Sequence, residues 1–254
     1  MNKRDVEGFT LIELIISLAV GAAVTILGVT LYVQTSKNRN LLQAELNLQN
    51  KSYFIHQTLR QFFNQAGYRP LIHSNASSSI LPIQPTDKAF EAIDGKWAAG
   101  EFMQVLDNGF AFRFEGSSDA TDTPDGSLFN CQGAAIATGE IANVQFSITD
   151  GALSCSSGGM AVEMIGEGDD INVERFAINW GVDTNNDSHV DEFRPSSIPL
   201  TTGESLTAVR LSLLLSSQDG IRNTPASYTF DGTEHESTDT RLRRESVTTV
   251  HLKN

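Results

Sequence analysis

The chain has 254 residues, of which 40% are hydrophobic, so it is long enough to bury at least one sizeable core. It carries 31 acidic against 18 basic residues, a formal charge of -13. A body this acidic argues against a nucleic-acid partner, because phosphate backbones are bound through a basic surface.

The N-terminal stretch from Phe9 to Val33 is mostly apolar, and Glu13 is its one acidic or basic residue. As a helix it would be roughly 37 Å long, enough to cross a hydrocarbon core of about 30 Å. A signal peptide has a shorter apolar core followed by a small-residue cleavage site, whereas the small residue here, Gly8, precedes the core. A plain anchor fits the length but leaves Glu13 unexplained, since a lone carboxylate in lipid costs at least a few kcal/mol. We therefore expect a membrane span with a partner for Glu13.

The segment "GFTLIEL", Gly8 to Leu14, resembles the class III leader junction of type IV pilins and type II secretion pseudopilins. The resemblance implies that residues 1–8 form a prepilin leader, with Lys3 and Arg4 on the cytoplasmic side as the positive-inside rule expects. A prepilin peptidase would cut after Gly8 and N-methylate Phe9. It also implies that Glu13 pairs with the N-terminal amine of a neighbouring subunit. In a low dielectric such a pair favours docking and register more than net stability.

The helix is predicted to continue beyond the membrane. No proline interrupts it, Gly67 is a plausible C-cap, and Pro70 follows. We expect a membrane half over residues 9–33 and an amphipathic half over 34–69. The apolar positions that recur at helical spacing are Leu41, Ala44, Leu48, Ile55, Leu59, Phe62 and Ala66.

Residues 70–254 are predicted to form a β-rich globular domain. A Ser- and Pro-rich loop opens it. Alternation places Phe176, Ile178, Trp180 and Val182 on one strand face. Val209, Leu211, Leu213 and Leu215 share another face. The predicted fold class is α+β and pilin-like, with the long helix packed on an antiparallel sheet. The predicted strands are "EFMQVL", "FAFRFE", "NVQFSIT", "MAVEMIG", "FAINWGV", "AVRLSLLLS" and "VTTVHL".

Two further regions resemble the PilW family of minor pilins: "TLRQFFNQAGYRP" at the helix end, and "AVRLSLLLSS", "YTFDGT" and "RLRRESVTTVHLKN" near the C-terminus. The resemblance implies a non-catalytic subunit that primes type IV pilus assembly with other minor pilins, the major pilin and often a large tip adhesin. It would be anchored once in the inner membrane, with its domain in the periplasm, and would end in the pilus. The alternative is a J-type minor pseudopilin of a type II secretion system. No cofactor is required in either case.

The two cysteines, Cys131 and Cys155, are expected to form a disulfide if the domain is periplasmic. PilW relatives often carry a pair in this region, and the flanks "FNCQG" and "LSCSSGG" look like turns. The alternative is two reduced, buried cysteines.

The stretch "DTNNDSHVDEF" has the spacing of an EF-hand calcium loop, with Asp183, Asn185, Asp187, His189 and Asp191 as candidate calcium ligands. Ser188 replaces the glycine of such loops, and Arg194 stands where the bidentate acid belongs. The alternative is an Asn/Asp-rich hairpin turn without a metal.

Enzyme motifs do not stand out. The five histidines form no HExxH or HxH arrangement, and no nucleophile elbow occurs. The basic run Arg241–Glu245 could be an interaction edge, although a solvated or salt-bridged face is the simpler interpretation. A membrane-anchored periplasmic enzyme or binding module remains as a third class of function.

Overall fold

A computed structural model describes residues 10–69, 90, 97, 101–119, 121–166, 170–201 and 203–252. Among these, one long helix precedes a β-rich domain. The helix, α1, runs Leu11–Phe63. The strands are β1 Met103–Leu106, β2 Gly109–Glu115, β3 Ile141–Thr149, β4 Ala152–Ser157, β5 Met160–Ile165, β6 Ile171–Asp183, β7 Glu192–Pro195, β8 Ser205–Ser217, β9 Tyr228–Phe230, β10 Thr233–His235 and β11 Arg243–His251.

Helix α1 has well-defined ends. Thr10 caps its N-terminus in an extended conformation. Its last residue is Phe63, and a turn leads to Gly67, whose φ is +73°. The Gly67 N–H donates to the carbonyl of Arg113 on β2, at 2.9 Å. The helix therefore ends before residue 69, the predicted boundary, because the backbone turns at this point to pair with the sheet.

The strands form two main antiparallel sheets. The first has the order β1-β2-β3-β4-β5, and the second has the order β11-β8-β6-β7. Strands β9 and β10 pair with each other as a small hairpin and are not hydrogen-bonded into either main sheet. Strands β4 and β5 are joined by Gly158 and Gly159, both at positive φ as a two-residue hairpin requires. The predicted α+β architecture is confirmed.

The core lies between the amphipathic half of α1 and both sheets. Phe62 of α1 packs on Phe112, Phe146 and Phe129, with ring centroids 6.3, 5.3 and 5.5 Å apart. The predicted helical stripe is confirmed. Its buried members are Leu48, Ile55, Leu59, Phe62 and Ala66, and Leu41 and Ala44 are half-buried.

The predicted strand faces are also found. The core cluster includes the four predicted residues of β8, Val209, Leu211, Leu213 and Leu215. It also includes Ile178 of β6, and the partly buried Phe176 and Trp180 pack against it. Val182 is buried outside that cluster, beyond a register shift between Gly181 and Val182. Each of the seven predicted segments overlaps an observed strand, whereas β4, β7, β9 and β10 were not predicted.

Candidate functional site

The first half of α1 is an apolar helix with nothing packed on it. The described residues of this half, from Thr10 to Val33, are all exposed, although most are large hydrophobics. Length and hydropathy make it the one described helix able to cross a membrane. Because the domain leaves this surface uncovered, lipid or other protein must cover it.

Glu13 lies in the first turn of α1, where it caps its own helix. Its Oε2 accepts from the backbone N–H and the hydroxyl of Thr10, both at 3.0 Å. The Glu13 N–H in turn donates to the Thr10 hydroxyl at 3.4 Å, which completes a capping box. Within the described part of the chain, Oε1 of Glu13 accepts no hydrogen bond. One carboxylate oxygen is thus held by the first turn of its own helix.

The predicted cleavage and methylation residues, Gly8 and Phe9, lie outside the described residues. Their roles, and the role of Glu13 in docking, stay predictions. The described helix begins at Leu11, two residues after Phe9 in the sequence, and Glu13 lies in its first turn.

The acidic loop between β6 and β7 is organised by hydrogen bonds to Asp183, which is buried. One carboxylate oxygen accepts from the backbone N–H groups of Asn185 and Asn186, at 3.0 and 2.6 Å. The other accepts from Ser188 at 2.7 Å. Burial alone would raise the pKa of Asp183, but these N–H groups outweigh it and lower the pKa. Asp183 therefore acts as an ionised anchor for the turn.

The remaining candidate calcium ligands also bond within the loop. The Asp191 carboxylate accepts from the Thr184 N–H and hydroxyl, at 2.8 and 2.6 Å. Asp187 Oδ1 accepts from the N–H of His189, and the exposed imidazole of His189 has its pKa raised mainly by bonding to the Asp187 backbone. Across the described residues, no three His, Cys, Asp or Glu side chains are grouped to hold a metal ion. Calcium binding and the metal-free hairpin turn both stay predictions.

Arg194 occupies the position where an EF-hand places its bidentate acid. Its Nη2 lies 2.7 Å from Glu204 and its Nε lies 3.1 Å from Glu192. The bond to Glu204 raises the pKa of Arg194 and lowers that of Glu204. The position of the bidentate acid in an EF-hand is thus taken by a cation that is paired with Glu192 and Glu204.

The predicted disulfide is present and joins Cys131 to Cys155, with a Cα–Cα distance of 5.6 Å. Cys131 lies in a turn, as expected, but Cys155 lies inside β4 and is 2% exposed. The prediction of a turn around Cys155 was wrong, because Leu153, Cys155 and Ser157 alternate as the buried face of a strand. The bond therefore ties a loop to the middle of the first sheet.

The basic run near the C-terminus is salt-bridged, as the simpler interpretation held. Arg243 contacts Glu174 at 2.7 Å and Asp239 at 2.6 Å, and its guanidinium lies 4.9 Å from the Tyr228 ring centroid. These bonds raise the pKa of Arg243 and hold that of Asp239 well below its usual range. Arg241 approaches the same two acids, at 3.6 and 3.8 Å. The run fastens β11 to β6 and the 236–242 loop.

Sequence reasoning missed a buried cation, Arg113, at the centre of β2. It is 1% exposed, its guanidinium lies 5.1 Å from the Phe90 ring and 4.6 Å from the Trp97 ring, and its Nε donates to the Glu101 carbonyl at 2.9 Å. Burial lowers its pKa. The segment "FAFRFE" was predicted only as a strand, and every residue of β2 is buried, so nothing in the sequence indicated that Arg113 would be covered.

Comparisons with known proteins agree with the two resemblances. The model described as "Prokaryotic N-terminal methylation motif" matches residues 3–29. The PilW model, "Type IV Pilus-assembly protein W", matches residues 149–254. No curated protein matches the chain. A solved type IV-like pilin from Thermus thermophilus matches with 16% identity and a TM-score of 0.45, covering 81% of this chain and 96% of that one. The family matches therefore fall on the start of α1 and on the C-terminal strands.

Proposed function

We propose that this chain, whose residues 149–254 match the model of the PilW family of type IV pilus-assembly proteins, is a minor pilin that helps to prime assembly of the pilus. It would act within a complex of minor pilins at the filament tip, in contact with the major pilin and a large tip adhesin. The single observation that carries the proposal is the uncovered apolar helix that opens with a methylation motif and Glu13. A subunit built to pack its helix among other helices needs such a surface.

The PilW match and the prepilin motif indicate inner-membrane anchoring and processing by a prepilin peptidase. The orientation with the domain in the periplasm is part of the proposal. So is a structural, non-catalytic role, which the PilW match supports. The alternative, a J-type minor pseudopilin, shares the leader and the helix, and only an assay of the assembled machine separates the two.

The proposal is tested by replacing Glu13 with alanine in the producing strain. We expect the variant to be processed and inserted in the membrane but absent from sheared pili, because the partner amine loses its counter-charge. Thr25→Ala is the matched control: Thr25 is a polar residue of the same span whose hydroxyl donates only to its own helix, at the Gly21 carbonyl. The control should assemble normally.

Mass spectrometry of the mature protein gives a second readout. A wild-type chain should begin at N-methylated Phe9, and Gly8→Ala should leave the leader attached. An unprocessed chain that still assembles, or a Glu13→Ala variant that enters pili as well as the control does, would contradict the proposal.

A further inference from the structure

The first charged side chains after the apolar half of α1 are Lys37 and Arg39. Both are exposed, and neither side chain makes a hydrogen bond or ion pair with another described residue. At the helical rise they lie about 6 and 9 Å beyond Val33. The polar headgroup layer of a bilayer extends roughly 5–7 Å beyond the hydrocarbon core. These two cations therefore reach the level of lipid phosphates.

The globular domain places a third cation, Arg222, close to Lys37 at the start of the amphipathic half of α1. The loop after β8 packs on α1 and forms with it a surface depression of about 280 Å³, whose lining includes Lys37 and Leu41 from the helix and Ile221 and Arg222 from the loop. The Arg222 backbone is fixed by its N–H, which donates to the Thr240 carbonyl at 2.9 Å. Its guanidinium is exposed and has no partner among the described residues. The loop thus holds Arg222 beside Lys37.

Among the described residues, no acid of this region forms an ion pair with Lys37, Arg39 or Arg222. Glu45 lines the same depression but lies eight residues beyond Lys37, about 12 Å further from the membrane. The carboxylate of Asp219 accepts from the Gly220 N–H and from the N–H and hydroxyl of Thr240. An otherwise acidic protein therefore presents cations where it comes nearest to the bilayer.

We propose that Lys37, Arg39 and Arg222 bind the phosphate groups of anionic phospholipids. They would hold the end of the domain nearest to Val33 against the membrane before assembly. The inference rests on the proposed function, since it needs α1 to be anchored with the domain outside. The attraction offsets the repulsion that a chain of charge -13 meets at an anionic surface. It also fixes how α1 and the domain packed on it are oriented relative to the membrane surface.

The test uses the full-length chain in nanodiscs of phosphatidylcholine, alone or with one third phosphatidylglycerol. Hydrogen exchange of the backbone amides of residues 218–227 is followed in both. We expect exchange to be about fivefold slower in the anionic discs. The difference should vanish in a Lys37→Glu/Arg222→Glu variant, and also at high salt, which screens exposed charges.

The matched control is Arg244→Glu. Arg244 is exposed, and its side chain makes no hydrogen bond or ion pair with another described residue. It lines a groove with Gln49 and His56, at least about 24 Å along the helix from Val33. This variant should keep the lipid-dependent protection. Equal exchange of the inserted wild-type chain in both discs would overturn the inference while membrane anchoring stands. A chain that does not insert would overturn the inference and the anchoring together.

Discussion

Replacing Phe62 with alanine should weaken the packing of α1 on the domain and so lower the free energy of unfolding. The ring is 5% exposed and lies within 6.3 Å, centroid to centroid, of three other phenylalanine rings. A buried Phe→Ala change costs about 3–5 kcal/mol, and the cost is higher where the site cannot collapse. Two of the neighbours, Phe112 and Phe146, are fixed on paired strands, so we expect about 4 kcal/mol. That is a large share of the roughly 5–15 kcal/mol that stabilise a typical domain.

The assay is denaturant unfolding of the full-length chain in detergent, followed by tryptophan fluorescence. Phe54→Ala provides the control, because Phe54 lies on the same helix eight residues earlier and is 49% exposed. It should cost less than about 1 kcal/mol, as exposed positions do. If Phe62→Ala also lowered the free energy of unfolding by less than about 1 kcal/mol, the claim that the end of α1 packs in the domain core would be refuted.

Ser188→Gly should raise the unfolding free energy by about 1 kcal/mol, since Ser188 holds a φ of +66° that glycine adopts without strain; an unchanged or lower value would contradict this. Calcium titrated into the full-length chain tests the calcium hypothesis: heat that Asp187→Ala abolishes would support it, and the absence of heat at millimolar calcium would end it. Replacing both cysteines by serine should lower the free energy of unfolding by about 3 kcal/mol, because the unfolded chain is no longer closed into a loop. The same denaturation measures this, and a change near zero would argue against a stabilising disulfide. Arg243→Met should cost about 2 kcal/mol at pH 7, because two acids lose their partner. Because the pKa of Asp239 is lowered in the folded chain, that pairing stabilises the fold above the ordinary aspartate pKa and is lost as the pH falls. Wild type and variant should therefore converge in acid, and a gap that widens there would contradict the pairing.

The elements that sequence reasoning found are those with strong periodic signals. The stripe from Leu41 to Ala66 and the alternating residues of β6 and β8 follow directly from burial of one face. The strands it missed have weak signals for physical reasons. Strand β4, "ALSCSS", is built from small side chains, and β7, β9 and β10 have only three or four residues each. Their pairing depends on neighbours distant in sequence.

The candidate site also has features that could be predicted from the sequence and features that could not. The position of Glu13 in the first turn of a long apolar helix could be predicted from the motif alone. Its bonds to Thr10 could have been noticed too, since threonine three residues before glutamate is a capping-box signature. The burial of Arg113 and the bonds of Arg194 to Glu192 and Glu204 could not, because they depend on which loops the fold brings together.

The most direct test of the central claim is a deletion of this protein in the producing strain. Surface pili are counted by electron microscopy, and secreted enzymes are assayed in the culture supernatant. We predict lost or sparse pili with normal secretion, restored by the wild-type chain and not by Glu13→Ala. Normal pili with secreted proteins trapped in the periplasm would contradict the account and identify the chain as a pseudopilin instead.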